Sequence, residues 1–326
     1  MTERSPGDTR WDLRYHPGAE QLAIAGTIDE SLLELLPLSR LHASHDEDAA
    51  TWTSLEEIGV FTMGVGEERG GSGLGTVEEA LVAMRLGSRL ASPGMLATIG
   101  AAPLLSSEET ASLRVAAAYR HGDRIIVVSE PQAARVLLRE SDAASLHELP
   151  AAGVKAIDDR HWLAGLCEAS RLGPALASFD DAQLVRLRLL DAAALAGIAE
   201  AALDMSVAYA GARQQFGRAI GTFQAVKHHC ADMAIAARCA RDQVSFAAVG
   251  LDDGRGDARL QVECAFLMAG SAALANSGKN IQIHGGMGFS DEADPHLLLK
   301  RARLLIAIAG GLEEATRRIA AIPGEA

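Results

Sequence analysis

The 326-residue sequence predicts a mainly α-helical protein with one small β domain, in the order α, β, α. Aromatic residues make up only 4% of the chain, which favours close-packed helices over strands. Apolar residues recur at helical spacing in the N-terminal and C-terminal parts. Between these parts the pattern changes to short apolar runs separated by turn residues. At roughly 100–200 residues per domain, this length predicts two or three domains.

Four segments follow from these patterns. Residues 1–26 have no helical periodicity and are predicted to form an N-terminal arm. Residues 27–111 are predicted to be a helical domain, with a glycine-rich break at 64–75. Residues 112–178 are predicted to be a β domain of short strands, and residues 179–326 a second helical domain with three or more long helices.

Charge and composition exclude several functional classes. The formal net charge of −13 disfavours binding to nucleic acid or to an anionic membrane surface. The acidic, polar N-terminus does not resemble a signal peptide, and we expect no membrane-spanning segment and a cytoplasmic location. The four cysteines have no C-x-x-C spacing and are expected to be small buried residues (Cys167, Cys230, Cys239 and Cys264). No spacing of ligand residues predicts a metal site.

Two segments in the C-terminal half have the residue types of a binding site. The first is Arg213-Gln214-Gln215-Phe216-Gly217, in which a cation at a predicted helix end precedes an aromatic residue and a glycine. The second is Gln282-Ile283-His284-Gly285-Gly286-Met287-Gly288-Phe289, where paired glycines follow a long helix. Free N–H groups in such a turn suit a pyrophosphate. Either segment alone is also compatible with an ordinary helix terminus and turn.

Together, these segments resemble motifs of the acyl-CoA dehydrogenase family, R-x-x-F-G and Q-x-x-G-G-x-G-F. The N-terminal half is similar to this family too, with Trp52, Leu55, the run Gly66 to Gly75 and the run Leu86 to Pro93. The resemblance implies an N-terminal helical domain, a reduced central β-barrel and a C-terminal four-helix bundle. It also implies FAD as cofactor, an acyl-CoA thioester as substrate and an electron-transfer flavoprotein as electron acceptor.

The same resemblance assigns cofactor-binding residues. In the family the C-terminal domain of one chain supplies an arginine and a Gln-Gly-Gly turn to the FAD of its neighbour. The matching residues are expected to contact a neighbour's FAD (Arg213, Phe216, Gln282, Gly285 and Gly286). A guanidinium suits a pyrophosphate because it presents several donors in a fixed plane.

The catalytic residues of the family are missing. The two positions where members place the base correspond to Leu187 and Ala309. Removal of an α proton requires a carboxylate within hydrogen-bonding reach, and neither side chain supplies one. Ser129-Glu130-Pro131 lacks the following glycine and Ser-Asp of the family's flavin loop, and Gly311 replaces its threonine. We therefore name no catalytic residue.

These departures predict a short subunit that completes the FAD site of a partner. The chain looks like the short, base-lacking subunit of actinobacterial α2β2 acyl-CoA dehydrogenases, some of which act on steroid side chains. One alternative is a self-sufficient homo-oligomer with an unrecognised base, for which Asp180, Asp181 and Asp191 are candidates. Another is a flavin-free structural subunit that has kept only the fold.

Overall fold

The computed structural model describes residues 14–43, 49–110, 113–149, 154–158 and 163–322. Eleven α-helices are assigned in these ranges: α1 Ala19–Leu35, α2 Arg40–Ala43, α3 Ala49–Glu57, α4 Thr76–Ser88, α5 Pro93–Ala101, α6 Ser107–Thr110, α7 Asp181–Ala212, α8 Gln224–Asp252, α9 Ala258–His284, α10 Pro295–Ile308 and α11 Leu312–Ala321. The strands are β1 Val115–His121, β2 Arg124–Val128, β3 Arg135–Arg139, β4 Ala144–Glu148, β5 Val154–Asp158, β6 Leu166–Ala169, β7 Ala175–Ser178, β8 Gln214–Gln215 and β9 Arg218–Ala219.

Strands β1–β7 form one sheet in the order β5-β6-β2-β1-β3-β4-β7. The β1–β3 pair is parallel and the other pairs are antiparallel. Alternate residues face opposite sides, because side chains alternate along a strand. Val115 and Ala117 face the main core beside α5, whereas Ala116 and Ala118 join a smaller apolar cluster on the second face. The predicted order of helices, sheet and helices is confirmed.

The C-terminal helices pack around α7, which also contacts α4 of the N-terminal part. Two glycines bring α4 and α7 into backbone contact. A Cβ at Gly87 would overlap the carbonyl oxygen of Ala194, and a Cβ at Gly197 would overlap the carbonyl oxygen of Met84. No larger residue fits at either position without moving one helix away from the other.

The end of α8 caps the start of α4. The Asp252 carboxylate accepts hydrogen bonds from the backbone N–H groups of Thr76 and Val77, at 2.8 and 3.2 Å, and from the Thr76 hydroxyl at 2.7 Å. The first N–H groups of a helix have no partner within the helix, so this carboxylate satisfies donors that Gly75, the local N-cap, cannot. It joins the N-terminal helices to the C-terminal bundle.

The N-terminal arm differs from the expectation. Helix α1 begins at Ala19, so the boundary predicted at residue 26 falls inside it, and the first 13 residues of the arm lie outside the described ranges. Only Ala25 and Leu32 of α1 are buried. Because so few positions of α1 face the core, the apolar residues of this segment show only a weak helical period, and the sequence pattern does not mark the start of the helix.

The cysteines also differ from the expectation. Cys239 is exposed, and Cys167, Cys230 and Cys264 are only partly buried. Cys230 and Cys239 lie on α8, which turns one side away from the bundle. A pattern of helical spacing predicts the helix but not the side that each small residue faces.

Helix α7 is long and apolar enough to cross a membrane by length and composition alone, a test that a buried core helix also passes. Of its most apolar 18-residue window, 56% is buried. Packing against α4, α8 and α9 accounts for this composition, since a central helix is apolar on most sides.

We predict that Asp252→Ala lowers the free energy of unfolding by about 1–2 kcal/mol, because it leaves the first N–H groups of α4 without their acceptor. Urea unfolding followed by circular dichroism measures the change. The matched control is Asp242→Ala on the same helix, which removes an exposed pair with Arg238 and costs less than about 0.5 kcal/mol. Equal losses in both variants would contradict the capping role.

Candidate functional site

The first predicted segment forms a β-hairpin after α7. Strands β8 and β9 pair Gln214 with Ala219 and Gln215 with Arg218, leaving Phe216 and Gly217 in the turn. Their φ angles are 54° and 77°, and two consecutive positive values define a type I′ turn. A phenylalanine rarely adopts this conformation, and here the turn directs a side chain that is 92% exposed into solvent.

The second predicted segment is a short 3-10 turn, Gly285–Phe289, at the end of α9. Its glycines have different surroundings. Gly288 lies against α9, where a Cβ would overlap the Ile281 carbonyl oxygen, whereas Gly285 and Gly286 face open space. Their backbone is therefore accessible to a ligand, as the sequence predicts for a turn that approaches a phosphate.

Side chains that sequence reasoning missed hold the two segments together. The rings of Tyr209 on α7 and His284 on α9 stack with centroids 4.0 Å apart. One turn earlier, the Ser206 hydroxyl donates to Asn280 at 2.9 Å. The Asn276 amide donates to the carbonyl oxygens of α7 and α8. The spacing of Asn276, Asn280 and His284 by four residues was the available signal, since it places all three on one face of α9.

The resulting surface is exposed and partly apolar. We call residues 213–217 and 282–289 together the two-turn face. All five predicted cofactor-binding residues are solvent-exposed on it (Arg213, Phe216, Gln282, Gly285 and Gly286). Large apolar side chains on this face and on the adjoining helices are also exposed (Val207, Phe216, Ile235, Met287 and Phe289). A cluster of exposed apolar side chains of this kind is typical of a surface that another molecule covers.

A separate cavity lies between the sheet and the bundle. Its outer groove, of about 650 Å³, is lined by the β1–β2 turn, the β3–β4 turn and the residues between α10 and α11. An inner cavity of about 20 Å³ lies between α5, α7 and α10. Arg139 and Ile308 line both.

Both positions predicted to lack a base lie at this cavity. Leu187 lines the inner cavity, and Ala309 lies between Ile308 and Gly310, which line the outer groove. These two positions are 122 residues apart in sequence, and the packing of α10 against α7 brings the elements that carry them together. Their apolar side chains are both buried.

A buried ion pair lies at the inner cavity, and its arginine also lines the outer groove. The Arg139 guanidinium donates to the Asp191 carboxylate at 2.9 Å, and each side chain is only 7% exposed. Asp191 is the one carboxylate among the described residues that line the inner cavity. Burial raises the pKa of Asp191, and the nearby guanidinium of Arg139 opposes this shift.

A second cluster of charged side chains lies near this pair and attaches the same strand to the helices. The Glu263 carboxylate accepts from Arg188 at 2.8 Å and from Arg318 at 3.0 Å. Both guanidinium groups also donate to the carbonyl oxygen of Ser141, which follows β3 by two residues. The strand with Arg139 is thereby attached to α7, α9 and α11.

The remaining candidates, Asp180 and Asp181, and the carboxylates near the C-terminal base position have different surroundings. Asp180 is the N-cap of α7 and accepts from the Gln183 N–H at 2.8 Å. Asp181 is exposed beside Arg259. Glu292 and Glu313 are exposed, and Glu314 pairs with Arg317 at 2.7 Å. Within the described residues, none of these carboxylates lines the outer groove or the inner cavity.

Comparison with known proteins identifies the fold family. The model of the acyl-CoA dehydrogenase N-terminal domain matches residues 19–108, and that of the acyl-CoA dehydrogenase C-terminal domain matches residues 179–322. Acyl-CoA dehydrogenase IpdE2 of Mycolicibacterium smegmatis is 31% identical over 286 aligned positions, which cover 84% of this chain and 88% of the relative. The chain belongs to the acyl-CoA dehydrogenase family.

Acyl-CoA dehydrogenase FadE34 of Mycobacterium tuberculosis is also 31% identical, over 83% of this chain. The match covers only 42% of that relative, so this chain spans less than half of its length. The size of the matched unit therefore corresponds to IpdE2 and to a part of FadE34.

Solved structures of the family have the same fold. The steroid ACAD Tcur3481-Tcur3483 gives a TM-score of 0.75 at 22% identity, covering 92% of this chain and 96% of that one. A chain of the ChsE4-ChsE5 complex from Mycobacterium tuberculosis gives 0.73 at 22% identity, covering 96% and 100%. PigA, described with FAD and proline, gives 0.76 at 19% identity, covering 94% and 98%.

Acyl-CoA dehydrogenases are FAD-dependent, and the two-turn face fits part of that cofactor. Gly285 and Gly286 leave open space beside exposed backbone, and Arg213 is exposed at the end of α7. By contrast, Ser129-Glu130-Pro131 has a structural role. Glu130 is buried and accepts from the hydroxyl of Ser92, the N-cap of α5, at 2.6 Å.

We predict that Tyr209 and His284 stabilise the fold as a coupled pair. A double-mutant cycle with Tyr209→Leu and His284→Leu, measured by urea unfolding, should give a coupling of about 0.5–1.5 kcal/mol. The control Phe289→Leu changes a side chain that is 76% exposed and should cost less than about 0.5 kcal/mol. Additive losses in the cycle would contradict a direct role for the stack.

Proposed function

We propose that this chain is a subunit of an FAD-dependent acyl-CoA dehydrogenase that does not supply the base itself. It contributes the two-turn face to an FAD site whose other part, including the catalytic glutamate, belongs to a second dehydrogenase-like chain. The assembly would be an α2β2 heterotetramer in the cytoplasm. The main supporting observation is that the predicted cofactor-binding residues are exposed at the turns that follow α7 and α9, two helices joined by the Tyr209–His284 stack. In addition, the chain's own cavity contains no unpaired carboxylate among the described residues.

The chemistry of the reaction explains why a partner is required. Dehydrogenation of an acyl-CoA thioester removes the α proton and the β hydride. The bound FAD would accept the hydride and pass electrons to an electron-transfer flavoprotein. The proton needs a carboxylate base, and Leu187 and Ala309 occupy the two family positions for it in this chain. The partner's glutamate supplies this function.

The two-turn face has the groups to hold the ADP end of the cofactor. Arg213 would donate to pyrophosphate oxygens, because its guanidinium suits paired acceptors. The N–H groups of Gly285 and Gly286 would approach the same phosphates without hindrance from a Cβ. Gln282 would supply an amide at the last turn of α9, and the exposed Phe216 ring would offer an apolar contact to the cofactor.

The names of structural neighbours support a heteromer and suggest a substrate. Tcur3481-Tcur3483 is named as a steroid ACAD, and ChsE4-ChsE5 is described as a complex. Both designations pair two chains. We propose a steroid side-chain acyl-CoA thioester as the substrate of the assembled enzyme.

One observation favours a second candidate, a self-sufficient enzyme with Asp191 as base. Among the described residues, Asp191 is the one carboxylate at the inner cavity, and burial raises its pKa. Its hydrogen bond to Arg139 opposes this role, since a guanidinium stabilises the carboxylate and makes it a weaker base. We therefore favour the heteromer.

We predict that the chain purified alone has no flavin absorption band. It should acquire FAD when produced together with a dehydrogenase-like chain that has a glutamate at the family's base position. Replacing that glutamate by glutamine should abolish turnover without loss of flavin. A stoichiometric flavin band in the isolated chain that bleaches with an acyl-CoA would establish the self-sufficient enzyme instead. A complex that never acquires flavin would indicate the flavin-free structural subunit.

We predict that Arg213→Ala weakens FAD binding by the complex. A lost hydrogen bond to a charged group is worth about 1.5–3 kcal/mol, which corresponds to about 10- to 150-fold in Kd. Fluorescence titration of the flavin-depleted complex measures the effect. The control is Arg124→Ala, which removes an arginine that is 66% exposed on the sheet. Unchanged affinity in the Arg213 variant would contradict the assignment of the two-turn face.

A further inference from the structure

We propose that the Arg139–Asp191 ion pair closes the acyl-binding channel of this chain, so that the chain takes up no acyl-CoA thioester itself. This inference rests on the proposed function. Besides lacking the base, the chain would have a physical barrier to the acyl group. Arg139 lines both the outer groove and the inner cavity, and Asp191, its partner at 2.9 Å, lines the inner cavity. The pair therefore lies where the two spaces would join.

The two spaces have the properties of one divided channel. The outer groove is about 650 Å³ and has charged side chains in its lining, among them Arg120, Glu140 and Asp142. The inner cavity is lined mostly by apolar side chains (Pro93, Leu96, Ala97, Ala117, Leu137, Leu187, Leu190, Leu305 and Ile308). A polar mouth and an apolar interior suit a ligand with a polar head and an acyl chain. The inner part retains only about 20 Å³, about the space of one water molecule.

An ion pair is an effective barrier to an acyl chain. Passage of apolar groups would separate the two charges in a buried place, where unpaired charges are strongly disfavoured. The pair is also held in place. Arg188 and Arg318 attach Glu263 to the Ser141 carbonyl, so the strand with Arg139 cannot easily move away from α7. Apolar side chains could pack this space at similar stability, so stability alone does not require charges here.

The barrier is independent of the flavin surface. Asp191 lies within α7, and Arg213 is the residue that ends the same helix, 22 residues later. This separation corresponds to about 33 Å at 1.5 Å per residue. Substitutions at the barrier should therefore leave the two-turn face intact. This separation allows the barrier and the proposed function to be tested separately.

The test compares octanoyl-CoA with free CoA by isothermal titration calorimetry on the full chain. The ratio of the two Kd values isolates recognition of the acyl group from binding of the CoA head. We expect a ratio near one for the unmodified chain. The opened variant, Arg139→Ala with Asp191→Ala, should prefer octanoyl-CoA by about tenfold or more, because the acyl chain then reaches the apolar interior.

Two further variants complete the design. The filled variant, Arg139→Met with Asp191→Leu, replaces both charges by apolar side chains that occupy the same space, and its ratio should remain near one. Arg120→Ala with Glu140→Ala removes an exposed pair at the outer groove and should also leave the ratio near one. If the opened variant does not fold, Arg139→Ser with Asp191→Asn replaces it and should show the same preference for octanoyl-CoA.

Two results would overturn the barrier. One is a preference of the unmodified chain for octanoyl-CoA. The other is an opened variant that folds and still shows a ratio near one, which would leave the pair a purely structural connection. Neither result affects the proposed function, which depends on flavin content. A chain that binds FAD stoichiometrically without a partner would overturn the proposed function whatever the ratio.

Discussion

The structure depends on the close contact between α4 and α7. Gly87 and Gly197 allow the two backbones to touch, and this contact fixes the 32-residue helix α7 against the N-terminal helices. Every other helix of the bundle is then placed by α7, directly or through α9. A helix of this length extends about 48 Å, so its two ends reach different environments. Its first turns lie under the sheet, and its last turn ends at solvent.

Polar groups are buried and paired near the start of α7 but exposed at its end. Near its start, Arg188 and Asp191 are buried and fully engaged with charges from the sheet and from α9 and α11. At its end, Arg213 is exposed beside turns whose glycines leave open space. A polar group that is already paired is poorly suited to new chemistry, whereas an exposed donor can still bind a ligand. The contrast along one helix supports the proposal that the chain contributes to a neighbour's site and not to its own.

Local signals in the sequence predicted much of this arrangement, and long-range pairings limited the rest. The change of periodicity after residue 112 predicted the sheet. The segments at Arg213 and Gln282 predicted the two turns that carry the candidate cofactor-binding residues. Counting from motifs placed Leu187, which lines the inner cavity, and Ala309, which directly follows the cavity residue Ile308. The Arg139–Asp191 pair joins residues 52 positions apart, and no local pattern specifies such a partner. The start of α1 and the outward side of α8 were missed for a related reason, because each depends on what packs against the helix.

The hairpin that directs Phe216 into water has a consequence for the isolated chain. Phe216, Met287 and Phe289 are exposed, so they present apolar surface to any other molecule in solution. Association through such a surface is non-directional and becomes more favourable as the concentration of the chain rises. The side chains that suit a binding surface thereby limit the concentration at which the uncovered chain stays monomeric.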